Sequence, residues 1–398
     1  MKDLSIEKFW FPRVRAQGAT AYYGITIEEP RSATTRINLA KCRMSITLAS
    51  ADLEHRITQL FISAKCAPHV AQQVAANLVL ANLSGHDSHG VGMAPRYVDA
   101  ILEGGLDPEA HVAIQVDHGM LLGLDGQTGF GQIVGVEAIN LAFERVAKHG
   151  ACIMSLAHSH HLGRIGHFAE MAVERGWVSL HFVNVLSRPV VAPWHGGDGR
   201  YGTNPCCIGI PVGMGADVRE PFVLDFATSR VAQGKMRVAH NEGKEVAPGT
   251  LIDEHGQPTN RPGVVVVPQS NGGFGALLPF GEYKGFGLAV ACELLGGALS
   301  GGGTWHRPPD AKRAVYNGML SIVIDPKALG AQMSFAQETL AFIDWLRQSP
   351  AAPDSQGVVL AGEPERTARA ARKKNGIVID DATWQEIKEA GAKVGAKI

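Results

Sequence analysis

Apolar positions in the first third of the chain follow a helical period. Leu53, Ile57, Leu60 and Phe61 recur at spacings of three and four, and Val70, Val74, Leu78 and Ala81 repeat the pattern after Pro68. Two helices are therefore expected, ending in the polar run Ser84-Gly-His-Asp-Ser-His-Gly90. Pro95 suits the start of a third helix carrying Val98, Ile101 and Leu102, stopped by Gly104-Gly105. The period then changes. Residues 112–116 and 120–124 read as strands with Asp125-Gly126 as a turn. Residues 134–148 form a helix with Val136, Ile139, Phe143 and Val146 inward, ending at Gly150. A buried strand over 151–156 leads through a histidine-rich turn to a helix over 168–175, with Gly176 at the place of a left-handed cap. Strands follow over 178–184 and 222–227, then a buried glycine-rich helix over 285–299 and a strand over 319–324. Helices over 335–346 and 381–393 close the chain. Residues 1–43 hold no sustained period and read as an extension, expected to be disordered. Asp3, Glu7, Glu28 and Glu29 argue against a transit peptide there.

Composition adds limits to this pattern. With 398 residues, 45% of them hydrophobic and 19% charged, the chain can bury a sizeable core. A formal net charge of −1 excludes the basic footprint of a nucleic-acid binder. The six cysteines form no CxxC spacing and mostly sit in apolar runs, so buried thiols in a reducing compartment are expected. The most apolar stretch, 286–300, is broken by Glu293 and is too short to span a bilayer. With no secretion-type leader at the start, a cytoplasmic protein is expected.

Five segments carry candidate chemistry. Ala157-His-Ser-His-His-Leu-Gly-Arg-Ile-Gly-His167 packs four histidines and an arginine between a strand and a helix. At that place free N–H groups favour an anion, and an imidazole handles a proton near neutrality. The 84–90 loop adds two imidazoles, a carboxylate and hydroxyls, and reads equally as a capped helix junction. Asn204, held extended before Pro205, either fixes a ligand or closes a turn. Asp225 ends an apolar strand; as a buried carboxylate it needs a partner, for which a histidine is fitting, or else it caps the next helix. The run 282–287 opens the glycine-rich helix as a further anion site. A dinucleotide fingerprint is missing: Gly129-Phe-Gly131 is followed by Gly135, one residue too late.

Five ordered motifs resemble the type-2 malate/L-lactate dehydrogenase family: GHDSHGV at 85–91, HSHHLGRIG at 158–166, GTNP at 202–205, LDFATSRVAQGK at 224–235 and EYKGFGLAVACELLGGALSGG at 282–302. The first two are most similar to the hydroxycarboxylate dehydrogenase B branch. The resemblance runs from about Met44 to the C-terminus. It implies an α+β fold without a Rossmann unit. A helical domain, 44–117 completed by about 325–398, packs on a central cofactor-binding α/β domain, 118–324, with a mixed, largely antiparallel sheet. It also implies NAD or NADP as cofactor, a small 2-hydroxy or 2-oxo acid as substrate, a homodimer, and no resident metal, nucleic acid or membrane.

Residue by residue, the resemblance implies His89 and His161 as acid/base residues, with Asp225 as partner of an imidazole. The implied cofactor contacts are His89, Gly163, Arg164, Ile165, Val223, Leu224, Asp225, Phe226, Ala227, Tyr283, Asn317, Gly362, Glu363, Pro364 and Glu365. Ser88, Arg96, Tyr97 and Asn204 fall to the substrate. One departure stands out. Many members carry an arginine shortly after SHGV, where this chain has Gly92 and Met93. The carboxylate must then be held from elsewhere, Arg96 or Arg188, and a larger or aromatic acid suits the site as well as malate or lactate. The expected reaction is reversible hydride transfer between the nicotinamide and C2 of the acid, with Arg164 opposing pyrophosphate charge. Two alternatives remain: a cyclic imino-acid reductase of the same family, and a metal-dependent hydrolase using His158, His160, His161 and His167 with Asp87 or Asp225.

Overall fold

The computed structural model describes residues 45–306 and 315–398, so the expected extension, 1–43, lies outside the described residues. The chain enters through a short strand, β1 (Ser45–Leu48), and then follows its helical period. In α1 (Ser50–Ser63) and α2 (Pro68–Leu83), all eight positions named from the spacing are buried. Pro68 opens α2, where its missing N–H costs nothing. In α3 (Ala94–Leu102), Tyr97 and Val98 point inward, whereas Leu102 is 57% exposed. A step of one residue turns Leu102 about 100° away from Ile101.

Next come β2 (Ala113–His118), β3 (Leu121–Asp125), α4 (Gly131–His149) and β4 (Ala151–His160). The fourth strand outruns its apolar part and carries His158 and His160 into the sheet. The helix after the turn, α5 (Gly166–Val173), starts and ends two residues earlier than expected. Gly176 has a positive φ of 74° but lies in the turn beyond the helix rather than at its cap, Glu174. Strands β5 (Val178–Leu186), β6 (Cys206–Val212) and β7 (Arg219–Phe226) precede α6 (Gln233–Glu242). A small sheet of β8 (Leu251–Ile252), β9 (Pro258–Thr259) and β10 (Ala276–Leu277) follows. Then α7 (Tyr283–Cys292) continues as a π-helical stretch, Glu293–Leu299. This long helix is buried on one face only: Gly285, Ala289, Cys292, Gly296 and Gly297 point inward, while Leu294 and Leu299 are more than half exposed. The expectation of a fully buried helix is corrected accordingly. The chain ends with β11 (Tyr316–Ile324), α8 (Gln332–Arg347), α9 (Glu363–Asn375), β12 (Ile377–Asp380) and α10 (Asp381–Val394).

Seven strands form the main sheet in the order β2-β3-β4-β11-β5-β6-β7. The β3–β4 pair is parallel and the other neighbours are antiparallel, so the sheet is mixed and largely antiparallel. Its apolar core packs against α4 and α5 and includes Ile139, Phe143, Met154, Leu156 and Phe168. A second core draws on both chain ends. Leu53, Phe61, Leu78 and Tyr97 meet Ile377, Trp384 and Ile387, and β1 pairs with β12 antiparallel. A third cluster gathers Val191, Tyr201, Leu251 and Leu277 around the small sheet. The expected boundary at 117/118 falls inside β2, which belongs to the main sheet. Among the described residues, no helix is long and apolar enough to cross a membrane.

Candidate active site

The site forms where the helical core meets the end of β4. His158 has a positive φ of 49°, and the β4–β11 register shifts between Asn317 and Met319, opposite this residue. Such a bulge re-aims the side chains that follow. His160 then lies edge-on to the Tyr97 ring at 5.3 Å, and His161 starts the turn toward α5. The start of α4 lies directly against this turn: a Cβ at Gly131 would overlap the backbone of His161 and Leu162. From the other side, the 3-10 turn Asp87–His89 brings in His89. Its ring stacks on His161 with centroids 5.6 Å apart and planes 15° off parallel. The loop is tied down by Asp87, which accepts from Asn82 Nδ2 at 2.6 Å and pairs with Arg372. Ser88 Oγ lies 3.0 Å from His89 Nδ1.

His161 is oriented through its other ring nitrogen. Nδ1 lies 2.6 Å from the Tyr97 hydroxyl, which accepts Gln132 Nε2–H at 2.9 Å. Burial pushes His89 down to about 4, and the neighbouring His86 and Arg164 add to the shift. Burial likewise holds His161 well below the ordinary imidazole range, reinforced by His89, His160 and Arg96. Both rings are thus neutral near pH ~7, available as proton acceptors or as N–H donors. Burial lowers Arg188, and the charge of Arg96 adds to the shift. Arg188 donates to the Val265 carbonyl at 2.6 Å and lies over the Phe274 ring, but faces no carboxylate in either contact. Met93, by contrast, packs against the helical core.

The rest of the 157–167 segment behaves differently from its sequence reading. His158 is exposed and pairs with Asp125 at 2.9 Å. His160 is fully buried with neither ring nitrogen bonded. His167 leans on Phe168. Among the described residues, no group of three or more His, Cys, Asp or Glu converges to hold a metal ion, which removes the geometric basis of the hydrolase reading. Asp225 accepts the Gly166 N–H at 2.7 Å, so its hydrogen-bond partner is the start of α5 rather than an imidazole. That carboxylate occupies the N–H that an anionic ligand would have taken. Arg164 is 3% exposed and pairs with Glu170, which also holds Arg369. One N–H group of its guanidinium is thereby committed inside the protein. The shift on Asp225 is upward, caused by burial and opposed by His86 and Arg164.

Two further positions hold the scaffold. Asn204 receives the Val185 N–H and donates to Ala289 and Glu293, which leaves no amide hydrogen for a substrate. Asn317 receives the Leu162 N–H and donates to Asn184, bracing the turn behind His161. Tyr283 is 60% exposed at the start of α7. The segment Val223–Ala227 on β7 does meet the 361–365 segment: the Val223 N–H donates to Ala361 at 3.2 Å. Gly362 heads α9 at φ 93°, Glu363 pairs with Arg347, and Pro364 lies in the first helical turn. Glu365 meets His86 at 3.0 Å through one carboxylate oxygen; the other is buried without a partner. No sequence signal marked Gln132 or the Arg164–Glu170–Arg369 chain. A lone amide in the first turn of a helix, and charges 199 residues apart, carry no local pattern.

The buried imidazoles have a consequence for stability. Burial depresses both His160 and His181 to about 3. The unfolded chain takes up these protons below its ordinary value of 6.5 while the folded chain does not, so acid favours unfolding. Stability is complete above 6.5 and falls by roughly 1.4 kcal/mol per pH unit for each group as the pH drops toward 3. The urea midpoint is expected to fall clearly between about pH 7 and about pH 5. A constant midpoint over that interval would contradict neutral buried rings.

Known proteins match this arrangement over most of its length. The family model for malate/L-lactate dehydrogenase matches residues 48–388. Hydroxycarboxylate dehydrogenase B of Escherichia coli (strain K12) is 44% identical over 330 residues, covering 82% of this chain and 88% of that protein. L-lactate dehydrogenase of Cupriavidus necator is 37% identical over 360 residues, 89% of this chain and 99% of its own length. A solved structure of a candidate malate/lactate dehydrogenase from E. coli superposes with a TM-score of 0.82 at 40% identity, covering 88% of this chain and 96% of that one. With the five motifs falling inside the matched span, the chain belongs to the malate/L-lactate dehydrogenase family.

Proposed function

We propose that this protein interconverts 2-hydroxy and 2-oxo acids with NAD or NADP, with His161 facing the reacting oxygen. The carrying observation is the stacked pair of buried imidazoles, His89 and His161, beside Arg96 and Arg188, for which no carboxylate partner is found among the described residues. Arg96 is exposed and Arg188 half-buried, and the charge of Arg96 acts on His160, His161 and Arg188, so an anion is drawn to this side of the site. A substrate carboxylate satisfies both arginines and leaves the adjacent C2 oxygen to His161. His89, stacked on His161, lines the same wall. With Met93 turned into the helical core, Arg96 and Arg188 are the carboxylate anchors.

The strip beside this wall fits a nucleotide. The buried, unpaired oxygen of Glu365 is an acceptor awaiting a donor, and a ribose hydroxyl is one. Gly163 to Ile165, Val223 to Ala227 and Gly362 to Glu365 would line it without a Rossmann unit. When bound, the nicotinamide supplies or takes the hydride at C2. The protein positions the acid through its arginines, excludes water with the Tyr97 and His160 wall, and moves the proton at His161 Nε2. Cytoplasmic location and a homodimer belong to the same reading. Exposed Met333, Phe342 and Trp345 on α8 are apolar surface that a second copy would cover.

Removing an anchor tests the proposal. Arg188→Met and Arg96→Met are each expected to raise KM for a 2-oxo acid about 10–100-fold with a smaller change in kcat, the mark of lost ground-state binding. Unchanged KM in both variants would refute the anchor assignment.

A further inference from the structure

The proton on His161 is governed by a residue that does not touch it. Tyr97 is fully buried and Gln132 is 1% exposed. Gln132 is held in place through its backbone carbonyl, which accepts Gln73 Nε2–H at 2.7 Å. Its Nε2–H donates to the Tyr97 hydroxyl, while its Oε1 is buried with no partner. A phenol has one proton to give. Gln132 already donates to the Tyr97 oxygen, so the phenol proton goes to His161 Nδ1, 2.6 Å away. Nδ1 then carries a lone pair, and the neutral ring must hold its proton on Nε2.

We propose that Gln132 is a positioning residue that sets the tautomer of His161 through Tyr97, and that turning its amide end over end reverses that tautomer. In the orientation seen, Nε2–H is a donor suited to a carbonyl oxygen. In the turned orientation, the now unpaired Oε1 accepts the Tyr97 hydroxyl, the Tyr97 oxygen accepts Nδ1–H, and Nε2 becomes a proton acceptor suited to a 2-hydroxy acid. A doubly protonated ring also needs the turned amide, because its Nδ1–H requires an acceptor. The present orientation therefore works with burial and with the facing His89, His160 and Arg96 in keeping His161 neutral. The orphaned Oε1 marks the end that the turn engages, since a buried unpaired acceptor is costly. The catalytic meaning of the relay rests on the proposed role of His161; the tautomer itself does not.

Ring nitrogen NMR of 15N-histidine-labelled full-length protein without substrate reads the tautomer directly, with His161→Ala assigning the signal. Wild type is expected to show His161 protonated on Nε2. Gln132→Met, of similar shape but without the amide, is expected to give both tautomers. Gln132→Glu, read with its carboxyl ionised, is expected to move the proton to Nδ1 and shift the acid limb of the kcat/KM profile upward by about one pH unit. A wild-type proton on Nδ1, or a Gln132→Met spectrum identical to wild type, would overturn the proposal. A tautomer shift in a protein with no oxidoreductase activity would instead sink the reading of function and leave the relay standing.

Discussion

Replacing His161 by alanine is expected to lower turnover by about 10²–10⁴-fold, the usual share of a general acid/base. Cofactor affinity should change much less, because the ring is proposed to face the reacting oxygen. No neighbour is placed to take over. His158 is exposed and committed to Asp125, and His160 is sealed beneath Tyr97. His89 is the nearest substitute, stacked at 5.6 Å, but its approach to substrate depends on the 87–89 turn. His89→Ala is expected to lower turnover too and to weaken the cofactor more than His161→Ala does. Near-normal turnover in His161→Ala would remove it from the chemistry.

Gly131→Ala should have an effect of similar size by a different route. The first residue of α4 lies so close to the His161–Leu162 backbone that a methyl group has no room. Either the helix or the turn must shift, and the turn carries the imidazole. A displacement of the order of 1 Å in a positioned group costs roughly 10²-fold in rate. Overpacking adds about 1–3 kcal/mol of destabilisation. Turnover and urea midpoint should therefore fall together, with little change in KM. A variant with wild-type activity and stability would show that the contact relaxes freely.

The helices and sheet strands were legible wherever one face is apolar at a fixed period. α1, α2, α4 and α10 appear within a few residues of their expected limits. The short pairing of β1 with β12 was not, because four-residue strands from opposite chain ends share no local signal. Nor was α9, which has no buried residue; its evidence is Pro364 in the first turn, with acids at one end and bases at the other. In the site, His89 and His161 were legible as chemistry in loops, and Tyr97 and Arg96 only through the family resemblance; the fold brings His89, His161 and Tyr97 together. The polar partners were not. Asp225, Asn204, Asn317 and Arg164 each read as ligand-facing, yet each bonds inward, since a buried polar group takes the nearest partner the fold offers. Gln132 shows the reverse case, an unremarked amide placed at the centre of a relay.

The central claim is hydride chemistry on a 2-oxo acid with the proton handled at His161. Absorbance of the reduced nicotinamide, followed with purified protein, NADH or NADPH, a panel of 2-oxo acids and a metal chelator, tests it most directly. The expected result is cofactor oxidation that requires the 2-oxo acid, is indifferent to the chelator and is lost in His161→Ala. No turnover with either cofactor across the panel, or turnover abolished by the chelator, would contradict it.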